Sequence, residues 1–175
     1  MSLYLAEVPL EGRSEAEIEA ALQTIASALG AGGELVEAQI GIEAGRAFLV
    51  AQADGADQLR AALQAAGLTA SQVKEVRLVG AELDEVKGKA GAANYLVEWN
   101  LPANLTMEQY LQRKKEKSVR YAELPEVQFE RTYVCTDMSK CLCFYQSPSE
   151  ELVKKARELV EAPIDSLTTV KQVGA

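Results

Sequence analysis

The sequence predicts an α+β protein of two ferredoxin-like βαββαβ repeats whose antiparallel sheets pack face to face as a pseudo-two-fold α+β barrel. An internal repeat, a shared order of strand and helix patterns, and strands that are apolar on both faces support this prediction. The segment YLAEVPL at 4–10 returns as YLVEWNL at 95–101, and VKEVRLV at 73–79 returns as LTTVKQV at 167–173. Both pairs keep nearly the same offset, so the repeat spans almost the whole chain.

Each repeat shows the same order of elements. A strand leads into a helix that starts with a capping box, Ser14 to Glu17 in the first copy and Thr106 to Gln109 in the second. A hairpin, a second helix and a closing strand follow, which is the ferredoxin-like arrangement of four strands with two helices on one face. The predicted strands lie at 3–8, 35–42, 46–53 and 73–79 in the first copy, with counterparts at 95–101, 127–135, 140–146 and 167–173.

The second helix of each repeat has its own start signal. It begins at Asp54 in the first copy, and in the second copy we expect Ser147 to cap it and Pro148 to take the first helical position. The predicted boundaries are a first repeat at 1–80, a linker at 81–93 and a second repeat at 94–175. Because the helices cover one face of each sheet only, strands apolar on both faces need a second layer.

Composition and charge exclude several functions. The chain has 175 residues and a net charge of −8, which disfavours nonspecific binding to nucleic acid. It shows no apolar run long enough for a membrane helix and no secretory signal, so a cytoplasmic location is expected. Histidine is absent, which removes the commonest general acid or base and the commonest transition-metal ligand.

The second repeat also carries a family resemblance. The segment at 95–98, the hairpin at 133–145, and Pro148 with Glu150 resemble a family of small bacterial ferredoxin-like domains of largely unknown function. This family is similar to the dimeric α+β barrel superfamily, and some of its members are described as nickel-binding. The resemblance covers residues 94–173, and the first repeat is similar to a more distant, degraded copy.

The resemblance implies the fold more strongly than the metal. Family members often carry a histidine shortly before the hairpin tyrosine, whereas Arg131 lies two residues before Tyr133 here. A permanently charged guanidinium cannot ligate a metal as a neutral imidazole does. Cys143 and Tyr145 match the family pattern, so the resemblance implies a role for these two positions.

Glu7 and Glu98 are candidate acid, base or ligand-binding residues. Each occupies the same place in a first strand that is otherwise apolar. Because a carboxylate is costly beneath the helices, both are expected on the face between the sheets. There they could share a proton, bind a cation or act as acid and base. The alternative is a pair of solvated or salt-bridged glutamates, with Arg46, Arg131 or Lys140 as partners.

Three cysteines lie within nine residues of the second repeat. Cys141, Cys143 and Tyr145 alternate along one strand and should share a face, which we expect to be the inter-sheet face, with the helix-covered core at Phe48, Val50, Leu142 and Phe144. Cys141, Cys143 and Cys135 could bind a soft metal, or Cys135 and Cys141 could form a redox pair across the hairpin. The alternative is that all three are small buried hydrophobes.

The segment 113–120, RKKEKSVR, makes the first helix of the second repeat basic. It could dock an acidic partner, a phosphate-bearing ligand or the acidic first half of a neighbouring molecule. A solvated helix face is the alternative, since lysine stems often cover apolar surface.

The sequence favours a small-ligand-binding or sensory protein with a cavity between the sheets, more than an enzyme. The ligand-binding residues predicted for it are Glu98, Glu7, Tyr133, Tyr145, Cys143 and Arg131. One alternative is a cofactor-independent isomerase or monooxygenase with Glu98, Glu7, Tyr145 and Tyr133 as catalytic residues. The other is a nickel-type metal-binding protein with a diverged site. No organic cofactor is expected, and the expected partners are a small molecule, another protein or further copies of the chain, but neither nucleic acid nor membrane.

Overall fold

The computed structural model describes residues 1–173, which form two compact units. Among the described residues, the first unit comprises Met1–Val76, Leu83–Gly91 and 170–173, and the second comprises Arg77–Glu82 and Ala92–Thr169. In chain order the elements are β1 (Ser2–Pro9), α1 (Glu15–Leu29), β2 (Glu34–Gly41), β3 (Arg46–Ala53), α2 (Ala56–Ala65), β4 (Gln72–Val79), α3 (Leu83–Lys89), β5 (Tyr95–Asn100), α4 (Met107–Lys117), β6 (Gln128–Cys135), β7 (Lys140–Gln146), α5 (Glu150–Leu159), β8 (Ser166–Thr169) and β9 (Lys171–Gln172).

Both units have the predicted ferredoxin-like order of elements. In the first unit β1 is central and pairs antiparallel with β3 and β4, and β2 pairs with β3 and β9. In the second unit β5 pairs antiparallel with β7 and β8, and β7 also pairs with β6. The second strand of each repeat carries a bulge at an equivalent place, between Leu35 and Glu37 in β2 and between Phe129 and Arg131 in β6. The prediction of an α+β protein with two ferredoxin-like repeats is therefore confirmed.

Capping explains where the helices begin. The side chains of Ser14 and Thr106 each accept a hydrogen bond from the backbone amide three residues later in the chain. The side chains of Glu17 and Gln109 accept a hydrogen bond from the backbone amides of Ser14 and Thr106, so both predicted capping boxes form. The prediction for α5 was wrong in detail. Ser149, whose side chain accepts from the Leu152 amide, is the N-cap, and Ser147 instead bonds to the Ser149 backbone in the turn before the helix.

The ends of the two repeats differ from the sequence prediction. The segment predicted as a linker at 81–93 contains α3, so the connection between the two repeats is folded. The predicted boundaries of the repeats stay a prediction. The last strand, predicted at 167–173, is broken into β8, which pairs with β5, and β9, which pairs with β2. Positions 174–175, the end of the predicted second repeat, lie outside the described residues.

The helix-covered core of each unit lies on the face opposite to the predicted one. In the first unit Ala47, Leu49 and Ala51 of β3 pack against α1 and α2. Alternation therefore places Phe48 and Val50 on the other face, and in β7 it does the same to Leu142 and Phe144. The prediction that these four residues form the helix-covered core was wrong. All four residues are buried. Because both faces of these strands are buried, their sequences contain no polar residue that shows which face the helices cover.

No helix in the described part of the chain combines the length and the apolar character that crossing a membrane requires. The face-to-face packing of the two sheets stays a prediction.

Candidate functional site

A small pocket lies on the helix-covered side of the second unit. Its accessible volume is about 30 Å³, enough for roughly one or two water molecules. The residues that line it come from β5, β7, α4, α5 and the turns after both helices. They are aromatic (Trp99, Tyr110, Tyr121), cationic (Arg113, Lys114, Lys117, Arg157) and thiol-bearing (Cys141, Cys143), among others.

Arg157 on α5 is the least expected residue in this pocket. Its side chain is buried, donating to the Tyr145 hydroxyl at 3.2 Å and to the Pro163 carbonyl at 2.6 Å. Its Nε is buried with no hydrogen-bond partner. Among residues 1–173, no carboxylate forms a salt bridge with it. A buried guanidinium normally has a paired anion, so this one calls for an explanation.

Three tyrosines surround the guanidinium and the thiols. The hydroxyls of Tyr121 and Tyr145 are 2.6 Å apart, and Tyr110 lines the pocket together with Cys141. Burial raises the pKa of Tyr110 and of Tyr145, and it raises the pKa of Tyr121 to about 12. All three phenols are therefore protonated at neutral pH and available as hydrogen-bond donors.

The basic segment of α4 supplies the outer cations of the pocket. Arg113, Lys114 and Lys117 follow Tyr110 at helical spacing, so they share its face, and all three are half-buried. The Lys114 ammonium lies 4.3 Å from the centre of the Phe129 ring. The Lys117 ammonium pairs with the exposed carboxylate of Glu161. The inner face of this helix is therefore pocket wall, while Lys115 is exposed.

Cys141 and Cys143 form the floor. Their sulfurs are 3.9 Å apart, and the Thr132 hydroxyl donates to the Cys143 sulfur at 3.2 Å. The hydrogen bond from Cys141, helped by the positive charges of Lys114 and Arg157, lowers the pKa of Cys143 well below its ordinary value. The same hydrogen bond, with burial, raises the pKa of Cys141.

The structure corrects the predicted placement of the cysteines. Cys141, Cys143 and Tyr145 do share a face, but it is the helix-covered face and not the inter-sheet face. Cys135 follows Val134, which pairs with Cys141 and shares its core, so Cys135 points to the opposite face. The three-thiol cluster and the Cys135–Cys141 redox pair were therefore wrong, because the hairpin register separates Cys135 from the other two.

The first repeat shows that the fold does not need these pocket residues. Leu63 occupies the position in α2 that Arg157 occupies in α5, the eighth helical residue of each. Counted from the shared capping boxes, Tyr110 corresponds to Ile18. In the same way Arg113, Lys114 and Lys117 correspond to Ala21, Leu22 and Ile25, and Cys141, Cys143 and Tyr145 correspond to Ala47, Leu49 and Ala51. All of these counterparts are buried apolar residues of the first unit's core.

The predicted glutamates lie on the other faces of their sheets. Glu7 pairs with Arg46 at 3.2 Å and Glu98 with Lys140 at 2.7 Å, and both carboxylates are buried. These are two of the salt-bridge partners that the sequence offered as the alternative to a catalytic role. The ion pair of Glu98 with Lys140 is better shielded from water than that of Glu7 with Arg46. The Lys140 side chain is 15% exposed, whereas the Arg46 side chain is 34% exposed.

Tyr133 and Arg131 accompany Glu98 on that face. Tyr133 pairs with Leu142 across the hairpin, and both Tyr133 and Arg131 contact the ring of Phe144. Their ligand-binding role, like that of Glu7 and Glu98, stays a prediction.

Sequence reasoning missed Arg157, Tyr110 and Tyr121. A signal for Arg157 was present, because it falls within the apolar stripe of α5, four residues after Val153 and three before Val160. A signal for α4 was also present, because its cations follow Tyr110 at intervals of three, four and seven residues. Tyr121 lies in a short 3₁₀ segment, and no periodicity indicates its direction.

Comparison with known proteins gives a family match for the second repeat. Residues 95–170 match the family described as nickel responsive protein SCO4226-like. The resemblance predicted from the hairpin and the first strand is therefore confirmed for this part of the chain. Among curated proteins, no relative matches.

Solved structures extend the likeness to nearly the whole chain. A candidate chlorite dismutase, TA0507, has a TM-score of 0.60 at 10% identity, covering 99% of this chain and 96% of its own. A candidate monooxygenase from Lactobacillus acidophilus has a TM-score of 0.51 at 11% identity, covering 98% and 92%. Another, from Fusobacterium nucleatum, has a TM-score of 0.51 at 8% identity, covering 98% and 91%. At such identities these structures show a shared fold.

The donor set of this chain does not fit a nickel ion. Histidine is absent, and Arg131 stands near the hairpin tyrosine where family members often carry it. Among residues 1–173, no three side chains of the His, Cys, Asp or Glu type come together as a possible metal site. Cys141 and Cys143 lie side by side in the helix-covered core.

Proposed function

We propose that this protein binds a small anion in the pocket beneath α4, with Arg157 as the buried cationic anchor. The observation that carries the proposal is the buried guanidinium, whose Nε has no partner and which has no carboxylate partner among the described residues. An anion bound at this group would complete its hydrogen bonds and its charge, and guanidinium groups favour carboxylate-like geometries.

The surroundings support the same ligand class. Arg113, Lys114 and Lys117 add positive charge to the lining of the pocket, although the whole chain has a net charge of −8. Glu161 is the carboxylate that pairs with Lys117 and Arg120 near them, and it is exposed. A local excess of cations in an acidic protein draws small anions toward the site and raises their rate of association.

The size of the pocket limits the ligand. About 30 Å³ takes a small inorganic or organic anion, or the carboxylate of a larger acid whose body lies against the outer wall. Trp99 and Tyr110, whose ring centres are 6.3 Å apart, provide an apolar contact for such a body.

The test uses formate as the small anion and benzoate as the larger acid, each replacing chloride at constant ionic strength. Trp99 is the single tryptophan of the chain and lines the pocket, so its fluorescence reports occupancy. We expect saturable fluorescence changes and a rise in melting temperature with at least one probe. Binding of formate alone indicates a free small anion, and binding of both indicates a carboxylate head group.

The matched variants are Arg157→Leu, which installs the residue of the first repeat, and Arg60→Leu, which makes the same change at an exposed arginine of α2. We expect Arg157→Leu to weaken binding at least tenfold and Arg60→Leu to leave it unchanged. No saturable response with either probe, or an equal response in Arg157→Leu, overturns the proposal.

The other predicted functions stay predictions. Acid and base catalysis by Glu98 and Glu7 has to accommodate the ion pairs that both carboxylates form. A nickel-type site lacks a fitting donor set, as described above. The expected protein partner, further oligomerisation and cytoplasmic location are likewise still predictions.

A further inference from the structure

Two tyrosine hydroxyls continue the hydrogen bonds of Arg157 along the wall of the pocket. Arg157 donates from Nη1 to the Tyr145 oxygen at 3.2 Å, and that oxygen lies 2.6 Å from the Tyr121 oxygen. Arg157 and Tyr145 are buried, whereas Tyr121 is half-buried and lines the pocket. The chain of hydrogen bonds therefore runs from the buried guanidinium to a more accessible part of the pocket wall.

The numbers of donors and acceptors give this chain a direction. A guanidinium has donors only, so the Tyr145 oxygen is the acceptor in its bond with Arg157. Tyr145 still has its own hydrogen to donate, and within residues 1–173 the Tyr121 oxygen is the acceptor left to it. A buried hydroxyl without an acceptor is unfavourable. Tyr145 therefore donates to Tyr121, and Tyr121 keeps a hydrogen with no acceptor in the described part of the chain.

Two donors are thus free at the same pocket. One is the Tyr121 hydroxyl, and the other is the Arg157 Nε, which is buried and has no hydrogen-bond partner. The Tyr121 ring is held by its neighbours, because it stacks on Phe129 with ring centres 5.5 Å apart and meets Tyr145 edge-on at 5.9 Å. Donors that are already fixed in place cost a ligand little ordering entropy.

The first repeat again serves as an internal reference. Counted from the shared capping boxes and along the equivalent strand and helix, Tyr121, Tyr145 and Arg157 have counterparts in the first unit. These counterparts are buried apolar core residues, namely Leu29, Ala51 and Leu63. The fold therefore does not need this chain of donors, which occurs as a complete set in the second repeat.

We propose that the ligand of this pocket is a monovalent oxyanion with at least two acceptor oxygens, such as a carboxylate, and that Tyr121 selects it. This inference rests on the proposed anion binding at Arg157 and names the ligand class of the same site. One ligand oxygen accepts from the Arg157 Nε and another from the Tyr121 hydroxyl. Such an ion places an acceptor at each donor, whereas a halide offers one centre to both.

Charge and size favour the same class. Among the cations that the structure describes in the lining, Arg157 is buried, whereas Arg113, Lys114 and Lys117 are half-buried. A single negative charge matches the buried guanidinium, and a second one would stay uncompensated in the interior. The pocket volume of about 30 Å³ also suits formate, with three heavy atoms, better than sulfate, with five.

The experiment titrates the full chain separately with sodium formate, sodium chloride and sodium sulfate. Trp99 fluorescence and the melting temperature report binding, since Trp99 lines the pocket. The response of Arg157→Leu to the same salt at the same ionic strength is subtracted, which removes general salt effects. We expect formate to bind at least tenfold more tightly than chloride or sulfate.

Tyr121→Phe keeps the ring that stacks on Phe129 and removes the free hydroxyl. We expect the dissociation constant for formate to rise at least tenfold, as the loss of a hydrogen bond to a charged group predicts, with chloride binding unchanged. The matched control is Tyr95→Phe, the same change at a half-buried tyrosine of β5 outside the described pocket lining. It should leave the binding of both anions unchanged.

The outcomes separate this inference from the proposed function. If formate binds no more tightly than chloride or sulfate in the wild type, anion binding at Arg157 stands and the ligand class is wrong. Unchanged formate binding in Tyr121→Phe, or an equal loss of formate and chloride binding, likewise overturns the selecting role of Tyr121. No response to any of the three anions overturns both proposals.

Discussion

At the scale of single residues, two groups decide what the second repeat can do. Arg157 places a permanent positive charge where the first repeat has Leu63, and Cys143 places a thiolate-forming group where it has Leu49.

The ionisation of Cys143 can be measured directly. Because its folded pKa lies below the ordinary value, Cys143 should take up a proton at a lower pH than an ordinary cysteine does. The absorbance difference at 240 nm between the wild type and Cys143→Ala should therefore persist on the acid side of the ordinary cysteine pKa of about 8.5. Cys135, whose pKa is raised by burial, provides the control, and Cys135→Ala should show no difference in this range. A difference that appears only above pH 8 contradicts the assignment.

At the scale of elements, α4 and α5 keep the start signals of their counterparts but not the composition of their inner faces. The capping boxes of α1 and α4 are equivalent, so both helices start at the same place in the repeat. The inner face of α1 is apolar, whereas α4 presents Arg113, Lys114 and Lys117. Cations at half-buried positions contribute less to stability than apolar side chains that fill the same layer.

The triple variant Arg113→Ala, Lys114→Leu, Lys117→Ile restores the inner face of α1 in α4. We expect the free energy of unfolding to rise by about 1–2 kcal/mol, since buried apolar area outweighs the exposed ion pairs that are lost. Urea denaturation followed by circular dichroism measures it. Lys115→Leu, at an exposed position of the same helix, is the control and should change stability by less than about 0.5 kcal/mol. A loss of stability in the triple variant shows that the cations support the fold.

At the scale of the whole molecule, the chain does not divide into two repeats end to end. After β8 has completed the sheet of the second unit, the chain returns to the first unit, where β9 pairs with β2. The Ala38 amide donates to the Gln172 side chain, and the Val173 amide donates to the Ala38 carbonyl, both at 3.0 Å. Val173 is buried in the first unit's core, so the far end of the sequence contributes to the near unit.

Val173→Ala should therefore destabilise the first unit. The expected cost is about 1–2 kcal/mol from lost apolar burial. Hydrogen exchange resolves where it falls, and we expect faster exchange of the amides of β2 and α1, with β5 and β7 unchanged. Thr169→Ala, an exposed change four residues earlier, is the control and should leave both units unchanged. Equal effects on β2 and β7 would show that the segment belongs to both units.

Local sequence signals determined the repeat, the order of the elements and most of their bounds. The capping boxes at Ser14 and Thr106 form as predicted, and β3 and β7 begin and end where the patterns place them. These features depend on neighbours within a few residues, so the sequence contains the information that sets them. The absence of histidine and the acidic composition also bounded the chemistry without a structure.

The tertiary structure decided which face of each strand the helices cover, and with it the site. Alternation along β7 predicts that Cys141, Cys143 and Tyr145 share a face, but Leu142 and Phe144 are equally buried on the other. Where both faces are buried, no polar residue distinguishes them, and packing against α4 and α5 settles the choice. Arg157 joins Cys143 in one pocket because α5 covers this face of β7, and the local sequence pattern does not show which face the helix covers.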